Sequence, residues 1–305
     1  MVLSQSSKHP ADPLSDVLAA LDARATRRTR LEAAGDWALA FPALDRLKLV
    51  AVVRGSCWLM PAGRDPQPMA AGDVCVIGRT AYAVASDPTL PPIDGEPLFE
   101  GPDSDVLRLG GDDTVMLGGG VVFTRGNADF LLDMLPDFML VPRASAAAGA
   151  VATILALLDG EVERGRIGSD AVTARLAEVL MVEAIRAYAG SAEAAEIGWL
   201  GALADPRIGR ALQRIHGDIA QPWTVARLAG EAGMSRAAFA AHFTRRVGQA
   251  PLAYVRSWRL TLARAHLAGS RSNIASVAAM VGYTSQSAFG HAFRRTFGTS
   301  PRASA

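Results

Sequence analysis

Ser235-Arg236-Ala237-Ala238-Phe239, followed by Phe243, Gly248 and Pro251, is the stretch that decides the fold, because it recurs. Ser285-Gln286-Ser287-Ala288-Phe289 precedes Phe293, Gly298 and Pro301, each at a constant offset of 50. A block ahead of each copy repeats as well. Val225, Leu228, Ala229 and Gly233 match Ile274, Val277, Ala278 and Gly282 at an offset of 49. Each copy reads as a short helix, a tight glycine turn and a second helix, the pattern of a helix-turn-helix. Two such units in one stretch predict a protein that reads DNA.

The second helix of each copy has an inner and an outer side. Phe239, Phe243 and Val247 recur at helical spacing and are predicted core, as are Phe289, Phe293 and Phe297. The outer side of the first helix offers Ala237, Ala241, Thr244 and Arg245, with Ala240 on the flank. The second offers Ser287, His291, Arg294 and Arg295, with Gln286 and Gly290 toward its start and flank. Thr224 and Ser235 are placed to cap the two helices of the first copy. Between the copies, Pro251 to Ala268 reads as one helix through Leu252, Val255, Trp258 and Leu262. At 1.5 Å per residue it spans about 27 Å, long enough to hold two recognition helices near major-groove segments about 34 Å apart.

The charge distribution agrees. From Asp205 onward there are 14 arginines, no lysine and 3 acids, a net +11, against −10 for the first 204 residues. The near-neutral total hides a basic part and an acidic part, and only the basic part calls for a polyanion. Arg245, Arg246, Arg294 and Arg295 are the phosphate-contact candidates, and Arg236 is a further DNA-binding candidate. No apolar run reaches the roughly 18 residues of a membrane span, and the N-terminus has no apolar core of a signal peptide. With only Cys57 and Cys75 present, no disulfide framework is called for, and a cytoplasmic protein is expected.

Pro13 to Arg24 reads as a short amphipathic helix. Short apolar stretches separated by turns follow: 37–41, 47–53, 57–60, 74–77, 81–85 and 115–123. That spacing predicts an antiparallel sandwich or barrel. The proline-rich stretch from Asp87 to Asp105 reads as a long loop. Helical periodicity is expected from Phe130, with two long helices over 144–164 and 169–188. A small-residue linker over 190–201 precedes Asp205-Pro206, a good helix start.

The C-terminal residues resemble the AraC/XylS family of bacterial transcription regulators. The resemblance rests on the two helix-turn-helix units, Pro251-Leu-Ala-Tyr254-Val-Arg256, and Gly282-Tyr-Thr-Ser-Gln-Ser-Ala-Phe-Gly-His-Ala-Phe-Arg-Arg295. It implies base contacts from Ala237, Ala240 and Ala241 in the first copy and from Gln286, Ser287, Gly290 and His291 in the second. Alanine touches a thymine methyl but reads no purine edge, so polar readout is assigned mainly to the second copy.

Residues 13–190 resemble the cupin-type sensor half of one branch of that family. The stretches are Asp12-Pro-Leu-Ser-Asp-Val-Leu18, Arg54-Gly-Ser-Cys-Trp-Leu59, Ala71-Gly-Asp-Val74 and Ala85-Ser-Asp-Pro88. The likeness implies a small β-barrel followed by helices that often dimerise. Many cupins hold a metal with histidines, but this chain has none between 13 and 204, and Tyr82 stands where related sensors often carry one. No metal, cofactor or catalytic residue set is therefore expected. Cys57 and Cys75 have two readings, a redox-sensing thiol pair or two small core residues. Trp37, Phe41, Trp58 and Met60 read as barrel core.

The expected fold class is α+β. An antiparallel cupin-like barrel with trailing helices occupies 13–190, a sensor and dimerisation domain, and an all-α tandem helix-turn-helix domain occupies 205–305. The expected function is a sequence-specific transcriptional regulator, not an enzyme. Its expected partners are double-stranded promoter DNA, a second copy of the chain as a homodimer, RNA polymerase, and a small-molecule or oxidant signal. No membrane is expected. The rival reading is a cupin enzyme fused to a DNA-targeting domain.

Overall fold

The computed structural model describes residues 11–26, 28–100, 105–124, 127–145, 148–191, 198–269 and 273–304. The chain divides into two compact units. One joins Arg24–Phe123 to Leu135–Ala194, and the other joins Met1–Ala23, Thr124–Met134 and Ala195–Ala305. This division differs from a simple cut near residue 200, because two early segments belong with the C-terminal helices.

The first unit is a β-sandwich. One sheet runs β10 (Val106–Leu109), β2 (Thr29–Ala33), β11 (Thr114–Phe123), β4 (Leu47–Arg54), β7 (Val74–Ile77) and β12 (Phe138–Val141), with β1 (Ala23–Ala25) also paired to β11. The other runs β6 (Gln67–Ala70), β5 (Ser56–Pro61), β8 (Tyr82–Ala85), β3 (Ala38–Phe41) and β9 (Ile93–Asp94). Leaving β1 aside, pairing is antiparallel except for β10 with β2 and β3 with β9. The two sheets do not close into a barrel, which corrects the barrel form of the expectation; a cupin-like sandwich is what forms. The chain passes from β4 to β5 through Gly55 at φ +72°, where an added Cβ would lie 2.2 Å from the carbonyl oxygen of Asp113. Only glycine fits there.

Alternation along β4 sets the layers. Val50 and Val52 face the space between the sheets, with Leu31, Leu39, Leu59, Met69, Ile77, Val84 and Met116. Leu47, Leu49 and Ala51 point the other way, and α3 (Ala148–Arg164) packs against β4. The helix after it, α4 (Ser169–Ala189), packs against β7, β11 and β12. Arg30, 5% exposed, fastens α3 to β2 by ion pairs to Glu32 and Asp159. The hydrogen bond from Arg30 holds the Glu32 carboxyl below its usual range.

Several elements depart from expectation. Helix does not take over after Phe130: α2 spans only Asp129–Leu132, and Phe138–Val141 forms β12 on β7. A four-residue apolar run fits either state, and periodicity cannot choose. β2, β6 and β10 lie in stretches not read as strands. Pro68 sits in β6, at a sheet edge, where its missing N–H is tolerated. The long loop holds β9 and one 3₁₀ turn, Pro97–Phe99.

The second unit is helical. The first helix, α1 (Pro13–Ala20), is capped by Asp12, which accepts from the N–H of Leu14 at 3.1 Å. It ends before Arg24 because Asp22 takes φ +49° and breaks it. α5 (Trp199–Ala204) begins inside the expected linker, of which residues 192–197 lie outside the described residues. α6 (Ile208–Gly217), α7 (Val225–Ala232), α8 (Arg236–Val247), α9 (Pro251–Gly269), α10 (Ile274–Met280) and α11 (Gln286–Phe297) follow. Tyr254 and Trp258 on α9 pack against Phe130 of α2 at ring separations of 5.6 and 5.2 Å. Leu252, part of the apolar pattern that marked the helix, is 44% exposed, since the buried stripe of α9 runs through Tyr254, Val255, Trp258 and Thr261.

Candidate nucleic-acid interface

The sequence repeat is also a backbone repeat. In the first copy, the Thr224 hydroxyl accepts from the Arg227 N–H at 3.1 Å and starts α7. α7 ends at Gly233, φ +64°, where the Met234 N–H donates to the Ala229 carbonyl at 2.9 Å. Ser235 then accepts from the Ala238 N–H at 3.3 Å and starts α8. In the second copy Asn273 caps α10, Gly282 takes φ +82°, and the Tyr283 N–H donates to Ala278 at 2.9 Å. Ser285 accepts from the Ala288 N–H at 3.3 Å and starts α11. Both α8 and α11 stop at left-handed glycines, Gly248 and Gly298.

The inner faces are aromatic. Phe239, Phe243, Phe289 and Phe293 are fully buried, and Val247 is 5% exposed. Phe297 is half-buried, edge-on to Phe293, with the Arg264 guanidinium 4.8 Å from its ring centre. Burying these faces leaves the opposite faces in solvent. On α8, Arg236, Ala237, Ala241, Thr244 and Arg245 are exposed, and Ala240 and Arg246 are half-buried. On α11, Gln286, Ser287, His291, Arg294 and Arg295 are exposed, and Gly290 is half-buried. The predicted contact residues of α11 thus share one helix face, as do those of α8 apart from Arg246, which lies beside the Phe239 stripe.

The two faces differ electrostatically, and this was not read from the sequence. Asp205 accepts from His242 Nε2 at 2.9 Å and lies 3.7 Å from Arg246 Nε. Arg245 Nη2 reaches His242 Nδ1 at 2.7 Å. Burial alone would raise the Asp205 carboxyl, but the N–H groups of Ile208 and Arg207 and the His242 ring outweigh it and hold it low. Part of the positive charge of α8 is therefore tied back to a carboxylate. Arg294 and Arg295 on α11 have no ion pair among the described residues. The Asp-Pro pair at 205–206 signalled only a helix start.

One side chain joins the copies. Arg259, on α9, donates to the carbonyls of Ile219 and Gln221 ahead of α7, at 3.0 and 2.6 Å, and to that of Gly282 in the second turn, at 3.3 Å. A Cβ on Gly282 would lie 2.7 Å from both Arg259 Nη2 and the Ala220 carbonyl oxygen. Glycine at that turn keeps the bridge open.

In the sandwich, Cys57 and Cys75 are 3% and 0% exposed and belong to the core between the sheets. Burial pushes the Cys57 thiol up to about 12 and the Cys75 thiol higher. They come from different sheets, Cys57 on β5 and Cys75 on β7. Trp37 and Tyr82 share that core, with Phe41 packed against it. Trp58 and Met60 are half-buried. Among the described residues no group of three His, Cys, Asp or Glu is placed to hold a metal ion. No described helix is long and apolar enough to cross a membrane.

A tandem helix-turn-helix in one chain with a cupin-like sandwich defines a DNA-binding protein with a cupin domain. A family described as cupin matches residues 12–190, and a helix-turn-helix domain family matches 228–304. The chain is 39% identical over 293 residues to an AraC-like transcription regulator of Streptomyces lividans, covering 95% of this chain and 96% of that one. It is 31% identical to the HTH-type transcriptional regulator AlkR of Acinetobacter baylyi, over 95% and 98% of the two chains. Among solved structures, the DNA-binding domain of AdpA in complex with a target DNA aligns with 32% of this chain and 88% of its own, at 31% identity and a TM-score of 0.31. The chain belongs to the AraC-like family of transcription regulators, and is a DNA-binding regulator with an N-terminal cupin domain.

Proposed function

We propose that α8 and α11 enter successive major-groove segments of promoter DNA, and that α11 carries most of the base readout. The observation that carries this is the contrast between their outer faces. The α11 face presents Gln286, Ser287 and His291 to solvent with unpaired Arg294 and Arg295; that of α8 presents Ala237 and Ala241, with Arg245 and Arg246 turned toward His242 and Asp205. Glutamine and histidine can bond to purine edges, whereas alanine offers methyl contact alone. Arg236, Arg294 and Arg295 contact phosphates, and Thr244, Ala240 and Gly290 let the backbone approach the groove. In vitro site selection with full-length protein tests this: changes in α11 alter the preferred sequence, and changes in α8 mostly alter affinity.

The sandwich acts as a sensor, not an enzyme, and a second copy of the chain docks on its helices. Leu157 of α3 and Val172 and Val179 of α4 are exposed apolar residues, which supports a helix-mediated homodimer. Sedimentation of Leu157→Glu and Val179→Glu proteins tests that contact. The signal is a small molecule; the sealed environment of Cys57 and Cys75 argues against an oxidant. RNA polymerase is the partner through which bound regulator changes transcription in the cytoplasm.

A further inference from the structure

The sandwich holds a cavity of about 300 Å³ at one end of the space between its sheets, open to solvent. Its position follows from two residues that break the inward-facing apolar rows. On β11 the row passes from Met116 to Gly118, which lines the cavity and lies opposite Val50. On β4 the row Val52, Val50, Lys48 ends in a cation, and Lys48 lies opposite Ile77 of β7. Gly118 adds no side chain there beyond that of Thr29, and an inward lysine puts charge in the cavity.

No carboxylate among the described residues pairs directly with that charge. Among the described residues neither Lys48 nor Arg46, which lines the same cavity, forms an ion pair. Nε of Arg46 is buried without a hydrogen-bond partner. The Lys48 ammonium lies 5.3 Å from the centre of the Phe41 ring, a weak compensation. Burial, reinforced by Arg46 and opposed by Glu96, lowers the Lys48 pKa. Glu96 and Glu100 line the rim without pairing to either cation. Phe41 stacks on Tyr82 at 5.1 Å and lies 6.3 Å from Phe99, giving the cavity an aromatic wall. A half-buried cation is costly unless something satisfies it, and a carboxylate does so through charge-assisted hydrogen bonds.

We propose that this cavity binds a small aromatic carboxylic acid, its ring against Phe41, Tyr82 and Phe99 and its carboxylate on Lys48 and Arg46. The volume equals that of about ten liquid waters, which suits a one- or two-ring acid. This rests on the reading of the sandwich as the sensor, and names the class of signal.

Calorimetry on the full-length protein tests it, with 3-phenylpropanoate and 1-naphthoate against their primary amides, octanoate and 2-phenylethylamine. At pH 7 an aromatic acid should bind at least tenfold tighter than its amide. Lys48→Met should abolish that preference, and Arg46→Met should weaken it, with both variants checked for native circular dichroism. Amides binding as well as acids, acid preference surviving in Lys48→Met, or no acid binding at millimolar concentration overturns the proposal. Tighter binding of the amine overturns it in favour of Glu96 and Glu100, and octanoate matching the ring acids overturns the aromatic part. DNA affinity is measured separately with and without acid. Acid binding that leaves DNA affinity unchanged keeps the site and removes the sensor reading. Failed acid binding with intact DNA binding removes the site alone.

Discussion

The hydroxyl of Tyr254 lies 2.8 Å from Nε2 of His216. It also accepts from the Trp199 indole N–H at 3.1 Å. Nδ1 of the same ring faces Asp16 of α1 at 3.4 Å, too long for a strong hydrogen bond. His216 also stacks on Trp258 at 4.7 Å. Three helices of the DNA-reading unit, α1, α6 and α9, meet at this ring.

Burial lowers the His216 pKa, and Asp16 only partly opposes it. The unfolded chain takes up a proton near the ordinary histidine value of about 6.5; the folded chain resists. Stability should therefore fall as pH drops below about 6.5 and level off below the folded pKa, by at most one proton's worth of slope. Urea unfolding from pH 8 to 5 should show this component in the wild type and lose it in His216→Gln. Identical pH slopes in both proteins would refute the assignment.

Phe130→Ala should destabilise the helical unit by roughly 3–5 kcal/mol, the usual cost of deleting a buried aromatic side chain. Its effect is diagnostic because Phe130 lies far in sequence from the rings it packs against, Tyr254 and Trp258. A melting temperature equal to wild type would mean that α2 does not belong to this core.

Gln286→Ala and His291→Ala should leave the melting temperature nearly unchanged and relax sequence preference, each lost contact being worth about 1–3 kcal/mol of discrimination. Arg294→Ala and Arg295→Ala should instead weaken binding to all sequences and reduce the salt slope by about 0.9 each. Arg246→Ala should reduce it less, because Asp205 already holds that side chain. Site selection and salt titration of the five proteins separate these outcomes.

The buried thiols should be inert. Native protein treated with a maleimide should stay unlabelled until denatured, since thiolate character and access set reactivity. Cys57→Ser with Cys75→Ser should leave unchanged any effect of peroxide on DNA binding. Rapid labelling of either cysteine in the native state would restore the redox reading.

What the sequence made legible was whatever repeats or alternates. Phe239 and Phe289, Gly233 and Gly282, and the caps Ser235 and Ser285 announced the reading unit because local geometry demands those residue types. The strand Val74–Ile77 was bounded in the same way, by Gly72-Asp73 before it and Gly78 after. What stayed hidden depends on partners far along the chain. Phe130 looks like the start of a long helix, and only its packing on Tyr254 and Trp258 gives α2 its place. Lys48 looks like a surface lysine until the register of β4 turns it inward. Asp205 looks like a cap, and its hold on His242 and Arg246 needs α8 folded beside it.

The Arg259 bridge has a consequence for the DNA as well as for the protein. Two separate subunits can slide or hinge to suit operators of different length; two heads clamped by one guanidinium on a continuous helix cannot. Each base pair added between half-sites rotates one around the duplex by about 34–36° relative to the other. An operator for this chain is therefore phase-locked: its half-sites can drift in letters but not in spacing, and a single inserted base pair should do more harm than most single-letter changes.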